Sequence, residues 1–246
     1  GDDGFGRKLA SELARRGMTT EFVQVDEKYP TGKVHVTLDR GEPTYEIARD
    51  AAWDRIEWTP ELKLLSERIH GIAFGTLAQR SPVSRETIGR FLDAASGAVR
   101  LYDVNLRQNF FDRAIIEQSC RRATIVKLNE NELSDVSDLL GLKPEASALR
   151  EAFQLEAVAL TRGPEGTLFD TPSGIVDGDP VRYAKCEGAD NVGAGDACAA
   201  GVLVGTILGW PPDRIVRLAD HLGAFVASVS GATPVFPEEI VAMIDE

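Results

Sequence analysis

Asp190-Asn191-Val192-Gly193-Ala194-Gly195-Asp196 is the stretch of this chain best suited to chemistry. Two glycines flank Ala194, so the backbone can turn tightly and aim consecutive N–H groups at one point. The apolar run that follows, Ala197-Cys198-Ala199-Ala200-Gly201-Val202-Leu203-Val204, predicts a buried helix. Unpaired N–H groups at a helix start carry partial positive charge, and a glycine turn there makes a concave anion site. Asp196 stands at the rim of that site. A carboxylate beside an anion hole suits deprotonation of a hydroxyl as it attacks a phosphoryl group. The same residues also fit a plain Asp N-cap behind a Gly-x-Gly turn. Neither familiar phosphate loop is present. Cys198 stands where G-x-G-x-x-G needs its third glycine, and G-x-x-x-x-G-K-[ST] occurs nowhere.

The elements that would position this segment are legible as an alternation. Residues 71–74, 99–104, 123–128 and 157–161 read as buried strands, with helical patterns at 84–95, 112–121 and 144–153 between them. That alternation predicts an α/β fold with a mostly parallel sheet and right-handed crossovers. Ligands gather at the carboxyl ends of such strands. Gly75 follows the first strand, Asn105 and Arg107 the second, Asn129 and Glu132 the third, and Gly163 the fourth. Independent strands thus deliver polar residues to one edge. Further helices are predicted at 6–16, 213–228 and 237–244. Residues 33–38 and 44–47 read as a hairpin turning at Asp39-Arg40-Gly41-Glu42, with Phe22 to Val25 as a third strand of a small projecting sheet.

Several residues carry two readings each. Asn129 and Glu132 are three apart at a strand-to-helix junction and fit either a polar ligand set or a capping box. Lys127 projects from the same strand face as Asn129 and calls for an anion, either a ligand or a buried ion-pair partner. Arg107 has a fork suited to a phosphate oxygen or a sugar hydroxyl, with Asp103 and Asn105 placed to orient it, and it also fits an ordinary surface arginine. Thr161, Gly163 and Gly166 fit a ligand-contacting turn or a tight hairpin. Tyr45, Trp53 and Trp58 flank the hairpin and fit either cover over a sugar face or, more simply, packing of the lid.

Composition narrows the function classes. The 246 residues are 43% hydrophobic, enough for a sizeable core. A formal charge of −12 argues against nucleic acid and anionic membranes as partners. Three cysteines at unrelated spacings (Cys120, Cys186, Cys198) fit a reducing cytoplasm, and the scattered His35, His70 and His221 suggest no zinc cluster. No apolar run reaches the length of a membrane span.

The segment at Asp190–Asp196 resembles the C-terminal signature of the ribokinase-like (PfkB) carbohydrate kinases, D-T-x-G-A-G-D, with Asn191 in place of the usual small or hydroxyl residue. Other motifs follow in the family's order: Gly1-Asp2-Asp3-Gly4-Phe5-Gly6 as G-x-D-x-x-G, Pro30-Thr31-Gly32 as P-T-G, and Phe74-Gly75-Thr76-Leu77-Ala78 as the F-G-S-L-A of fructokinase-like members. Asp103-Val104-Asn105-Leu106-Arg107 matches D-x-N-x-R, Asn129-Glu130-Asn131-Glu132 matches N-x-x-E, and Thr161 to Gly166 matches T-x-G-x-x-G. The family's opening G-G-x-x-x-N sugar element is not in the sequence, so the chain resembles a member lacking its N-terminal segment. The resemblance implies one ribokinase-like α/β/α domain over residues 1–246, with lid strands within 20–48 that mediate a homodimer. It implies phosphorylation of a sugar hydroxyl by ATP, with Asp196 as base and Gly193, Ala194 and Gly195 as anion hole. Lys127, Asn129, Thr161, Gly163, Gly166, His221 and Ala224 would then contact nucleotide, and Gly75, Asp103, Asn105, Arg107 and Asp196 the sugar. Asn129 and Glu132 would organise Mg²⁺, and Asp190 would frame a monovalent cation, K⁺. A ketohexose is the expected sugar. A 2-keto-3-deoxygluconate kinase and a nucleotide-binding relative without catalysis are the alternatives; a nucleoside kinase and a dehydrogenase fit less well.

Overall fold

The computed structural model describes residues 1–39 and 42–245, and for residues 35–39 and 42–45 the backbone alone. The expected turn at Arg40-Gly41 lies outside the described residues. The chain divides into two compact units, Gly1–Arg68 with Ala78–Ser96, and Ile69–Leu77 with Gly97–Glu246.

The first unit holds α1 (Gly4–Arg15), β1 (Val34–Asp39), β2 (Glu42–Ile47), α2 (Pro60–Ser66) and α3 (Pro82–Ala94). Asp3 caps α1, accepting from the Phe5 and Gly6 amides at 2.9 Å, and also takes the Thr31 amide at 2.8 Å and the Thr31 hydroxyl at 2.9 Å. Those hydrogen bonds, from Thr31 and Gly6 above all, hold its carboxyl well below the usual range. The two motifs therefore interlock. A Cβ on Gly1 would lie 2.5 Å from the Thr31 nitrogen, and one on Gly6 would run into the Gly1 carbonyl. β1 and β2 pair antiparallel, from Val34 opposite Ile47 to Asp39 opposite Glu42, as expected. Phe22 to Val25 is not a third strand. The Gln24 side chain instead bonds the Glu57 backbone at 2.7 and 2.8 Å, and Val23 closes a turn onto Thr20, which leaves no ladder. Trp53 and Trp58 pack: the Arg80 guanidinium sits 4.1 Å over the Trp53 ring while pairing with buried Asp54, and Trp58 meets Phe91 edge-on.

The second unit is built on a six-stranded sheet in sequential order. Its strands are β3 (Gly71–Gly75), β4 (Val99–Asp103), β5 (Ile125–Asn129), β6 (Ala157–Thr161), β7 (Thr167–Thr171) and β8 (Gly174–Asp177). β3 to β6 are parallel, and β7 and β8 return antiparallel. The crossovers are α4 (Arg113–Arg122), then α5 (Glu130–Leu140) and α6 (Ala146–Phe153); after the sheet come α7 (Ala194–Ile207), α8 (Pro212–Val226) and α9 (Glu238–Asp245). Strand alternation sorts the faces. Leu101, Ile125, Ala157, Ala159 and Phe169 pack against Cys198, Ala199 and Val202 of α7 and Ile215, Val216 and Ala219 of α8. α4, α5 and α6 contact strands β4 to β7. The result is the expected mostly parallel α/β arrangement.

Helix α7 is apolar along most of its length, and its buried residues, Cys198, Ala199, Gly201, Val202 and Gly205, lie where it packs against the sheet and α8. Its small residues permit a close crossing. A Cβ on Gly201 would lie 2.6 Å from the Ala219 Cα. The helix begins at Ala194, three residues before the apolar run, so Asp196 lies inside its first turn and Gly193, with φ +84°, is the N-cap.

Candidate active site

Strand register assembles the site's floor. Gly75 is opposite Asp103, Asp103 opposite Lys127, and Asn129 opposite Thr161, all at carboxyl ends of parallel strands. Asp103 and Lys127 occupy the same sheet face as Leu101 and Ile125, the face that α7 covers. Lys127 Nζ lies 3.2 and 3.3 Å from the two Asp103 oxygens, with both residues buried. Burial pushes the Asp103 carboxyl up against the opposing pull of the Lys127 ammonium, and the charges of Glu132 and Asp196 push it further. Those two carboxylates therefore stand within electrostatic reach of the pair.

The α7 N-terminus comes down on this floor. A Cβ on Gly195 would lie 3.0 Å from Lys127 Nζ. Gly193 fits against the chain at Ala232, whose carbonyl would be 2.6 Å from a Cβ there. Asp190 pins the loop, taking the Val192 amide at 2.9 Å and the Gly231 amide at 3.2 Å. The Ala194 amide reaches Asn191 O at 3.3 Å. The amides of Gly195 and Asp196 have no acceptor among the described residues, as the first turn of a helix leaves them. Asp196 is exposed, and no described residue forms a hydrogen bond or ion pair with its carboxylate. An open carboxylate beside open amides has the chemistry to take a proton next to a bound anion.

The other expected site residues fall into two groups. Asn129 and Glu132 form a complete capping box: Asn129 Oδ1 accepts the Glu132 amide at 3.0 Å, and Glu132 Oε2 the Asn129 amide at 2.9 Å. Glu132 Oε1 also takes the Leu106 amide at 3.2 Å, tying the loop after β4 to α5. Thr161 bonds Leu128 O, and Gly163 and Gly166 turn with φ +57° and +83°. Gly223 of α8 packs by Ala194, where a Cβ would lie 3.3 Å from the Ala194 carbonyl, and Ala224 is the next residue of that helix. His221 bonds the Tyr183 hydroxyl at 2.7 Å, and burial, then Arg217, holds its imidazole below the usual range. Asn105 adopts φ +39°. Arg107 is exposed and turns to the Leu106 carbonyl, and Asp103 is engaged with Lys127 rather than orienting it.

Sequence reasoning missed Asp220. It is 8% exposed on α8, with Oδ1 accepting the Thr167 hydroxyl at 2.6 Å and Oδ2 unpartnered. That oxygen lies 3.1 Å from where a Gly166 Cβ would stand, at the glycine turn after β6. An ionisable residue inside the apolar stripe Ile215, Val216, Ala219, Leu222 was the available signal. Burial raises its carboxyl above the usual range, with the Thr167 hydrogen bonds opposing. Such a group stabilises the fold below the unfolded value near 4 and loses that contribution as pH rises through the folded value. Asp220→Asn is expected to raise Tm at pH 8 and to leave it nearly unchanged at pH 4. An equal effect at both pH values contradicts this.

Known proteins resemble this chain in sequence and in fold. A sequence profile described as pfkB family carbohydrate kinase matches residues 1–239. The fructokinase of Escherichia coli is 28% identical over 251 residues, covering 96% of this chain and 80% of that protein. A putative sugar kinase of Pyrococcus horikoshii is 29% identical over 219 residues, covering 84% of this chain and 65% of its own length. Its structure in complex with ATP superposes with a TM-score of 0.78, at 27% identity over 94% of this chain and 76% of that one. The fold is also that of Vibrio cholerae fructokinase, solved with fructose, ADP and calcium (TM-score 0.77, 23% identity, 99% and 83% coverage). This chain belongs to the pfkB family of carbohydrate kinases, phosphotransferases that act on sugar hydroxyls.

Proposed function

We propose that this polypeptide transfers the γ-phosphoryl group of ATP to a hydroxyl of a ketohexose, with fructose as the first candidate. The carrying observation is the exposed, unbonded Asp196 carboxylate in the first turn of α7, beside the open amides of Gly195 and Asp196. Asp196 takes the sugar hydroxyl proton as the oxygen bonds to phosphorus and the bond to ADP breaks. The first-turn amides, with Gly193 and Ala194 shaping the loop, hold the charge that builds on the phosphoryl oxygens.

Sugar-side contacts are assigned to Gly75, Asn105 and Arg107 at the strand ends. Thr161, Gly163, Gly166, His221 and Ala224 are assigned to the nucleotide, in keeping with ATP and ADP bound to the neighbouring structures. Mg²⁺ fits Asn129 and Glu132 through water only: each Glu132 oxygen already accepts one amide and keeps a lone pair for an outer-shell water. When bound, it would neutralise phosphate charge. Asp190, pinned to the same loop, is assigned to K⁺ framing. Among the described residues β1 and β2 pair only with each other, which supports their reading as a lid and dimer contact. The whole chain is taken as one kinase domain in the cytoplasm, where three free cysteines are stable.

The test is ADP release coupled to a panel of ketoses and sugar acids, with Mg²⁺–ATP and the intact polypeptide. Fructose-dependent release supports the assignment. Release with 2-keto-3-deoxygluconate alone moves it to the sugar acid, and ATP binding without sugar-dependent release ends the kinase reading.

A further inference from the structure

Cations favour the C-terminus of a helix, because the first-turn amides at the other end already carry partial positive charge. Helix α8 departs from that rule. Arg214 stands in its first turn and Arg217 three residues further, on the same face, in a chain whose formal net charge is −12. Both line a cavity of about 250 Å³, together with Leu218 of α8 and Met243 of α9. Leu218 and Met243 belong to the apolar cluster between those two helices, so the cavity has an apolar floor. Arg214 is held in place there. Its guanidinium sits 3.6 Å over the Trp210 ring and donates to the Met243 carbonyl at 3.3 Å. A guanidinium held over a ring keeps its other N–H groups for an acceptor. Two cations beside an apolar floor match an organic anion, and the volume, below the roughly 300–1,000 Å³ of pockets for drug-sized ligands, makes it a small one. The cavity is separate from the candidate active site: Gly223, where α8 meets the Ala194 carbonyl, lies about 14 Å along the helix axis from Arg214.

We propose that the α8–α9 cavity is a second binding site, for a small organic anion: a carboxylate or phosphate monoester whose charged group is shared by Arg214 and Arg217 and whose short apolar tail rests on Leu218 and Met243. It goes beyond phosphoryl transfer and does not depend on that reading. His221 follows Arg217 by four residues and shares its face of α8. Burial, and after it the charge of Arg217, keeps the His221 imidazole below the usual range, while Tyr183 bonds the ring. An anion on Arg217 removes part of that repulsion, so His221 reports occupancy.

The test titrates the intact polypeptide with n-butyl phosphate, butyrate and inorganic phosphate, following the Met243 methyl and the His221 ring by NMR, with and without a saturating non-hydrolysable ATP analogue. A butyl probe is expected to bind in the millimolar range whether or not the analogue is present, and to raise the pH midpoint of His221. Arg217 is exposed, so Arg217→Gln leaves the core intact; it should weaken binding about 10-fold or more and abolish the His221 shift. Inorganic phosphate, without a tail to bury, should bind several-fold more weakly than butyl phosphate. Tighter binding of butyl phosphate than of butyrate identifies the ligand as a phosphate monoester, and the reverse order as a carboxylate. Displacement of the probe by the ATP analogue places it in the active site and overturns the proposal. Parental affinity in Arg217→Gln does the same, as does inorganic phosphate binding as tightly as butyl phosphate. Unmoved Met243 and His221 resonances with both butyl probes at tens of millimolar mean that the cavity takes no such anion.

Discussion

Asp196→Asn is expected to lower kcat by about 10²- to 10⁴-fold, the range of general-base assistance, while leaving Tm and KM for ATP close to those of the parent. The reasoning is local. Asp196 is exposed in the first turn of α7 and no described residue hydrogen-bonds its carboxylate, so the amide removes no structural contact. An acidic residue near a helix N-terminus contributes only a few tenths to about 1 kcal/mol, so stability changes little. The amide has the same shape but cannot accept the hydroxyl proton. A variant with more than about one-tenth of parental kcat would show that the proton goes elsewhere.

Gly193→Ala is expected to damage activity and stability together. Gly193 adopts φ +84°, a conformation that costs an L-residue roughly 1–2 kcal/mol. Its Cβ would also stand 2.6 Å from the Ala232 carbonyl oxygen and 2.8 Å from the Ala232 Cα, both backbone atoms that cannot step aside. The loop must therefore lift away from residues 231–232, taking the start of α7 with it. Displacing first-turn amides from the developing charge costs about 10²- to 10³-fold in kcat. Calorimetry and steady-state kinetics on one preparation check both effects. Parental Tm with parental kcat would mean that the loop relaxes freely and that its conformation does not position the amides.

β5 and β6 were legible because strands buried on both faces read as short continuous apolar runs, and the less buried β3 and β4 were legible from the shorter apolar stretches at 72–74 and 101–102. The motif residues that follow them were legible for the same reason, since they lie where those runs stop. What the sequence did not reveal depends on register and on three-dimensional crossing. Asp103 and Lys127 pair only because β4 and β5 place them opposite one another, and no local pattern fixes that register. Asp103 was accordingly expected to orient Arg107, which is instead exposed. The α7 start was misplaced by three residues because Gly193-Ala194-Gly195 has turn chemistry, and only the left-handed Gly193 lets the helix begin at Ala194. Phe22 to Val25 has strand-like composition, but Gln24 binds the backbone at Glu57 instead. Asn129 and Glu132 proved to be a capping box, which leaves room for a water-mediated metal role without demanding it.

The central claim is that the α7 amides and Asp196 converge on one phosphoryl group. A crystal structure of the intact polypeptide with a non-hydrolysable ATP analogue and fructose tests it most directly. The account predicts γ-phosphate oxygens on the amides of Gly195 and Asp196, and a fructose hydroxyl within hydrogen-bond reach, about 2.6–3.2 Å, of the Asp196 carboxylate. A γ-phosphate seated away from the first turn of α7, with Asp196 facing solvent and no sugar hydroxyl beside it, would contradict it.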